Sequence, residues 1–172
     1  MSDDFDDVSR AVLRARADRL RATPDEDASD STYWVAAFGL GDERFSVSLP
    51  EMLAVLPLTA VTPVPLAPNA VLGMLRFQGA LIPALSLASM LVGRAVRRDP
   101  VALVIVSSTS GRVVALDCEQ IPGVIGIDPS RVAIARDGVS EPFVELTAED
   151  GEPINLLDVD VLLTEGAAFG SG

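Results

Sequence analysis

The sequence predicts a mainly β domain that is preceded by one helix. Short runs of alternating apolar and polar residues recur from Thr32 onward, no long amphipathic period follows residue 31, and two stretches of the chain share one apolar pattern. With 172 residues and 49% apolar content, the chain can bury a sizeable core in one domain or in two small packed ones.

Residues 1–30 are predicted to form an N-terminal helix and an acidic linker. Asp6 and Asp7 can cap the first turn of Val8–Arg21, and arginines later in this segment complement the helix dipole. Three apolar side chains, Leu13, Ala17 and Leu20, fall on one face of this helix as a narrow stripe, with Val12 beside it. Two interpretations stay open, because the stripe can dock on the main domain or bind a partner.

Nine strands follow in the predicted order, separated by turn signals such as Gln78-Gly79 and Thr109-Ser110-Gly111. They are Tyr33–Phe38, Arg44–Leu49, Val71–Phe77, Ala80–Leu87, Val101–Ser107, Arg112–Cys118, Val124–Ile127, Phe143–Leu146 and Glu152–Leu156. The dipeptides Asp137-Gly138 and Asp150-Gly151 are interpreted as turns.

An internal repeat supports two similar β subdomains. Residues 79–91 match residues 151–163 at an offset of 72, with apolar positions such as Ile82 and Ile154 in register. Residues 45–55 match residues 114–124 at an offset of 69. Two matches in the same order indicate a duplicated unit rather than chance alternation.

Composition excludes several classes of function. The chain has no His, so it lacks the usual proton-transfer and phosphoaccepting side chain, and its lone Cys118 permits neither an intrachain disulfide nor a Cys-rich zinc site. We expect no catalytic residues, no metal site and no cofactor. A net charge of −12 argues against nucleic-acid binding. The acidic start MSDDFDD does not resemble a signal peptide, so a cytoplasmic location is expected.

Charge is distributed unevenly along the chain. Arg76 is the only charged residue in the 42 residues from Met52 to Gly93. The uncharged stretch Met52–Leu75 has the length of a membrane span, but four prolines interrupt it, and each one breaks a helix and leaves backbone groups unsatisfied in lipid. This segment therefore indicates a buried core together with an apolar contact surface, and no direct insertion into a membrane.

The order of several short motifs resembles the CheW family, the adaptors of bacterial chemosensory arrays, over about residues 31–165. The motifs are the strand Tyr33–Leu40 with the turn Gly41–Phe45, the segment Val61–Pro65, the hairpin Val71–Pro83, the strand Gly111–Leu116 and the ending Asp150–Asp160. No single motif is decisive, whereas their order and spacing together are fairly specific.

This resemblance implies two SH3-like five-stranded β-barrel subdomains that share a hydrophobic core. They are expected to intertwine within residues 31–165, dividing near residues 93–100, with a flexible tail over 166–172. It also implies a non-enzymatic role in chemotaxis: coupling the cytoplasmic tip of a chemoreceptor (a methyl-accepting chemotaxis protein) to the regulatory domain of a CheA-type histidine kinase, a two-component system. Other CheW-like proteins are further candidate partners.

The chain departs from the family pattern at three positions. Gln78 replaces the arginine of the usual Asn-Leu-Arg-Gly motif, and Ala54 replaces its acidic partner, so both halves of an apparent ion pair are missing together. Ser86 stands where an Asp ordinarily follows the first subdomain's Pro-x-x pattern. These changes raise the alternative of an atypical adaptor that binds only receptor or only kinase. A small acidic β-barrel enzyme that uses carboxylates alone is a more remote alternative.

By resemblance, the receptor-binding residues line a groove between the barrels, and the kinase-binding residues form an apolar patch. The receptor set is Met52, Ala54, Val55, Arg76, Gln78, Ala115, Ile121 and Val124, and the kinase set is Leu56, Pro57, Leu58 and Leu81. Three assignments have competing interpretations: Val55 and Val124 can instead fill the core, and Arg76 can be a solvated strand-end residue. Cys118 is expected to be a buried small hydrophobe.

Overall fold

Ten strands form two five-stranded sheets in a computed structural model that describes Arg10 and residues 32–92 and 100–168. The strands are β1 (Tyr33–Leu40), β2 (Glu43–Ser48), β3 (Met52–Pro57), β4 (Val71–Phe77), β5 (Ala80–Leu85), β6 (Ala102–Ser107), β7 (Val113–Cys118), β8 (Gly123–Ile127), β9 (Phe143–Thr147) and β10 (Pro153–Leu157). The first sheet has the order β8-β1-β2-β10-β9, and the second has the order β3-β6-β7-β5-β4. The predicted mainly β class is confirmed.

The internal repeat appears as identical strand orders. At the two offsets found in the sequence, β6 and β7 correspond to β1 and β2, β3 corresponds to β8, and β4 and β5 correspond to β9 and β10. The parallel contacts also correspond, because Ala84 pairs with Ala115 in one sheet and Leu156 pairs with Ser46 in the other. Each sheet is thus one copy of the same arrangement.

The two sheets are interwoven along the chain. The second sheet is built from residues 52–118, whereas the first combines residues 33–48 with residues 123–157. The chain therefore changes sheet at 49–51 and 119–122, and the predicted boundary near 93–100 falls inside the second sheet. The last helix runs to Ala168, so it includes the first three residues of the expected flexible tail, 166–172.

Turn residues explain the hairpins. Gln78 and Gly79 join β4 to β5 with φ angles of 48° and 83°, and two left-handed residues match the right-handed twist of the flanking strands. Gly111, Gly138 and Gly151 also have positive φ angles, so the three turns predicted at these glycines are confirmed.

Three hydrophobic clusters fill the described part of the molecule. The largest, which we call the shared core, takes side chains from both sheets, including Phe45 of β2 and Leu116 of β7. A second cluster around Leu156 belongs to the first sheet, and a third around Ile105 belongs to the second. Alternation along β1, β6 and β7 sends one face to the shared core and the other to the cluster of its own sheet.

Three short helices were not predicted from the sequence pattern: α1 (Leu87–Val92), α2 (Pro129–Arg136) and α3 (Val159–Ala168). Their side chains show where they begin. The Asp128 carboxylate accepts a hydrogen bond from the Ser130 N–H, and the Asp158 carboxylate accepts one from the Val161 N–H. Ser86 accepts from the Ser89 N–H at 3.4 Å, in the position that corresponds to Asp158. Ser86 is therefore a buried helix cap.

The predicted N-terminal helix lies outside the described residues, apart from Arg10, which is helical and exposed. Within the described parts of the chain, no helix combines the length and apolarity needed to cross a bilayer.

Gly73 offers a test of the close approach between β4 and the segment before it. Its φ is +155°, and a Cβ would overlap the Thr62 carbonyl, which accepts the Met74 N–H at 2.9 Å. We expect Gly73→Ala to lower the free energy of unfolding by about 1–3 kcal/mol in urea titrations. Gly123→Ala is the matched control, because no atom lies within 4 Å of its Cβ position. Equal stability of the two variants would contradict the close approach.

Candidate protein-binding site

Three residues of the predicted receptor-binding set are buried in the structure. Met52 and Val55 are buried in the shared core, and Ala115 is completely buried in the second sheet between Ala84 and Ile105. These three side chains have almost no exposed surface, and their role in receptor binding stays a prediction. Val55 takes the core alternative that the sequence left open.

A β-bulge in β3 explains the burial of Met52. The register with β6 shifts between Met52 and Ala54, which places Met52 and Val55 on one face although they are three residues apart. Ala54 is half-buried and packs instead against the core of the second sheet. Simple alternation from the sequence cannot reveal such a shift.

Val124 and Ile121 remain accessible near the edge of the first sheet. Val124 is 39% exposed on the outer strand β8, and Ile121 is half-buried in the preceding turn. Val124 pairs with Ala36 across β1, and the Ala36 side chain lies in the shared core. Val124 therefore lies at the margin of the core that both sheets share.

Trp34 is a candidate that the sequence reasoning missed. It precedes Ala36 by two residues on β1, so it shares the same face as Val124, and it is 41% exposed. Tryptophan is enriched among residues that dominate binding energy, because its large apolar body also carries a hydrogen-bond donor. The sequence signal that could have identified it is that Trp34 is the only Trp in the chain.

The tip of the β4–β5 hairpin brings together residues from both predicted sets. Arg76 pairs directly across the hairpin with Leu81, and Gln78 occupies the turn. Arg76 and Gln78 are exposed, and Leu81 is 64% exposed. We call Arg76, Gln78 and Leu81 the hairpin tip. It combines a cation, an amide and a large apolar side chain on one outward surface.

The remaining predicted kinase-binding residues are less accessible. Leu56 and Leu58 are half-buried against the core of the second sheet, and only Pro57 between them is exposed. Leu56 and Leu58 therefore contribute only part of their side chains to the four-residue apolar patch, whose role in kinase binding stays a prediction. Leu81 supplies most of the exposed apolar surface in that set.

Acidic side chains dominate a surface of the first sheet around β2, β9 and β10. Asp42, Glu43, Glu145 and Glu152 line a shallow depression, with Arg44 at its wall. Both Arg44 guanidinium nitrogens Nη1 and Nη2 donate to the Asp150 carboxylate at 3.0 and 3.2 Å, and these bonds lower the pKa of Asp150. Such a surface repels anionic partners.

Four carboxylates that a carboxylate-based enzyme could draw on each accept a hydrogen bond from a different backbone N–H. Asp117 accepts from Leu87, Glu119 from Gly41, Asp158 from Val161 and Asp160 from Thr109. Asp117 is buried, at 4% exposure. These bonds hold turns and helix starts in place, so each of the four carboxylates has a structural role.

Cys118 is fully buried, and its thiol donates to the Ala102 carbonyl at 3.5 Å. Burial and then the neighbouring Asp117 carboxylate raise the pKa of Cys118 to about 12. The reactive thiolate is therefore suppressed at neutral pH. The predicted role as a small buried hydrophobe is confirmed.

Glu51 lies just before β3, and the pKa of its carboxyl is strongly raised. Burial raises its pKa to about 7 from an ordinary 4.5, Arg136 opposes this, and Asp158 and Asp160 add to it. Its Oε2 is buried and has no hydrogen-bond partner within the residues that the structure describes. Charging this carboxyl therefore costs free energy in the folded state.

We expect Glu51→Gln to stabilise the protein selectively at higher pH. Because the folded-state pKa is raised, wild-type stability associated with Glu51 is complete below about pH 4.5 and is lost as the pH rises through about 7. Part of the side chain remains solvated, so we expect a gain of about 1–2 kcal/mol at pH 8 and almost none at pH 4.5. Urea unfolding at both pH values measures this. Glu145→Gln is the exposed control, and a gain for Glu51→Gln that does not vary with pH would contradict the expectation.

Comparisons with known proteins agree on one family. The CheW-like domain model matches residues 35–167. The "Chemotaxis protein CheW" of Rhizobium meliloti (strain 1021) is 27% identical over 128 residues, which cover 72% of this chain and 83% of that protein. The crystal structure of scaffolding protein TtCheW from Thermoanaerobacter tengcongensis has a TM-score of 0.64 at 16% identity and covers 83% of this chain and 93% of that one. This last likeness shows the fold, two SH3-like subdomains.

Proposed function

We propose, from the premise that this chain belongs to the CheW-like domain family, that it is a non-enzymatic cytoplasmic adaptor that couples chemoreceptors to a CheA-type histidine kinase. An adaptor needs two separate surfaces that can be occupied at once. The observation that carries the proposal is the presence of exposed apolar side chains on both sheets, Trp34 and Val124 on the first and Leu81 on the second.

Each surface suits a different contact. Trp34 and Val124 lie at the margin of the shared core, where a receptor helix can place an apolar stripe beside the groove. The hairpin tip projects an apolar side chain next to Arg76 on an outward strand face, which suits the surface of another β domain. We assign the receptor to the first surface and the regulatory domain of the kinase to the second.

Co-sedimentation tests this proposal. Purified protein is mixed with membranes that carry a chemoreceptor from the same cell, with and without the CheA-type kinase. We expect the chain to sediment with the receptor and to increase the amount of kinase in the pellet. Failure to bind receptor and kinase alike would overturn the proposal.

An adaptor with a single partner is the second candidate function, and the hairpin tip favours it. The turn position where the family resemblance implies an arginine is Gln78 here, while Arg76 lies opposite Leu81. Such an adaptor is expected to bind either receptor or kinase in separate titrations, but not both. Gln78→Arg then tests whether the missing cation explains the lost partner.

A further inference from the structure

We propose that residues 8–21 of this chain dock on the exposed face formed by Trp34, Val124 and Glu149, which we call the Trp34 face. The proposal concerns the free protein: Trp34 and Val124 are also the surface that we assign to the receptor, so the docked segment must leave this face before a receptor binds. It rests on the composition of this face, on the chain length that leads to it and on charge complementarity.

The Trp34 face is an apolar surface beside an acidic side chain. Trp34 pairs with Gly126, and Val124 lies two residues before Gly126 on β8, so both side chains emerge on the same side. A Cβ on Gly126 would contact the Glu149 carboxylate, which places that carboxylate on this side as well. Glu149 is exposed and forms no ion pair within the described residues.

The edge of the first sheet lies beside this face. β8 is an outer strand that pairs only with β1 among the described strands. Soluble proteins commonly cover such an edge with a helix or loop, since an open strand edge invites pairing with other chains. The Gly126 carbonyl on this edge accepts the Glu149 N–H at 3.2 Å, so the edge is partly closed. An exposed Trp beside the rest of an outer strand is a surface that benefits from a cover.

Residues 8–21 match this face in polarity and charge. As a helix, the segment presents the stripe of Leu13, Ala17 and Leu20, with Arg10 and Arg16 on its two sides. It contains five arginines and one acid, whereas residues 32–172 contain sixteen acids and eight arginines. The stripe can cover Trp34 and Val124 while a flanking arginine approaches Glu149.

The connection is long enough to allow docking on the same molecule. Ten residues, 22–31, separate the segment from Thr32, and they can reach about 33 Å when extended. Trp34 lies only two residues after Thr32. Such a short tether raises the effective concentration of the segment to the millimolar range, so a weak contact is sufficient.

Fluorescence of Trp34, the only Trp, reports on docking in the full chain. We expect the double variant Leu13→Asp/Leu20→Asp to shift Trp34 emission to longer wavelength and to raise the acrylamide quenching constant. The matched control is Ala11→Asp/Ala15→Asp, which adds the same charge on the opposite face of the helix and should behave as wild type. Thermal unfolding of both variants checks that the barrels remain folded.

Two further measurements complete the test. A peptide of residues 8–21, added to the Leu13→Asp/Leu20→Asp variant, should restore the wild-type emission. Emission of the wild type should not depend on protein concentration; a shift on dilution would mean that the segment covers a second copy, and would overturn the proposal. Identical emission and quenching in the stripe variant and its control would also overturn it.

Discussion

Phe45→Ala is expected to lower the free energy of unfolding by about 3–5 kcal/mol, the loss that follows removal of a large aromatic side chain from a core. Phe45 is 2% exposed in the shared core, and its ring packs edge to face with Phe143 at 5.6 Å between centroids. Removing it leaves a cavity where the strands of both sheets meet. Urea unfolding monitored by Trp34 fluorescence measures the change.

The same experiment tests whether the shared core couples the sheets. We expect the variant to unfold in one transition, because a side chain in a common core destabilises both sheets together. Leu81→Ala is the control, since that side chain is 64% exposed and should change stability by about 0.5 kcal/mol or less. Two separate transitions in Phe45→Ala would contradict a common core.

Val124→Arg is expected to weaken receptor binding at least about tenfold, the effect of a central contact residue. The substitution places a charge at the apolar margin of the shared core, where a receptor helix would otherwise exclude water. Titration in the co-sedimentation assay gives the affinity. The melting temperature should remain near that of the wild type, because Val124 is 39% exposed.

A matched substitution separates position from charge. Val139 is exposed to a similar extent, 42%, in the loop after α2, so Val139→Arg adds the same charge away from both candidate surfaces. Leu81→Arg should leave receptor binding unchanged and reduce kinase binding. Equal losses of receptor binding in Val124→Arg and Val139→Arg would contradict the assignment of the receptor to this margin.

Much of the architecture could be predicted from alternation and turn chemistry. Nine strands and the turns at Gly79, Gly111 and Gly138 depend on local signals, and the repeat anticipated two equivalent units. β3 was not found from the pattern, because Met52–Pro57 is almost uniformly apolar and contains a bulge. The short helices lack a long amphipathic period, so only their caps could have indicated them.

The candidate site was harder to predict because exposure depends on long-range packing. Val55 and Val124 occupy equivalent positions of the repeat, yet one is 2% exposed and the other 39%. β3 and β8 are both outer strands, so the difference comes from what each sheet packs against. No local property of two valines in similar sequences contains that information.

The interwoven strand order has a consequence for how the protein is made. On the ribosome, the second sheet can be completed once residue 118 has emerged, whereas the β1–β2 hairpin must wait for β8–β10. At about 5–20 residues per second, the 109 residues from Leu49 to Leu157, the end of β10, correspond to a delay of about 5–22 s. During that time the hairpin exposes apolar side chains destined for both cores. The β1–β2 hairpin, which is synthesised before the other described strands, is therefore among the last to be protected, and we expect chaperones to act on it.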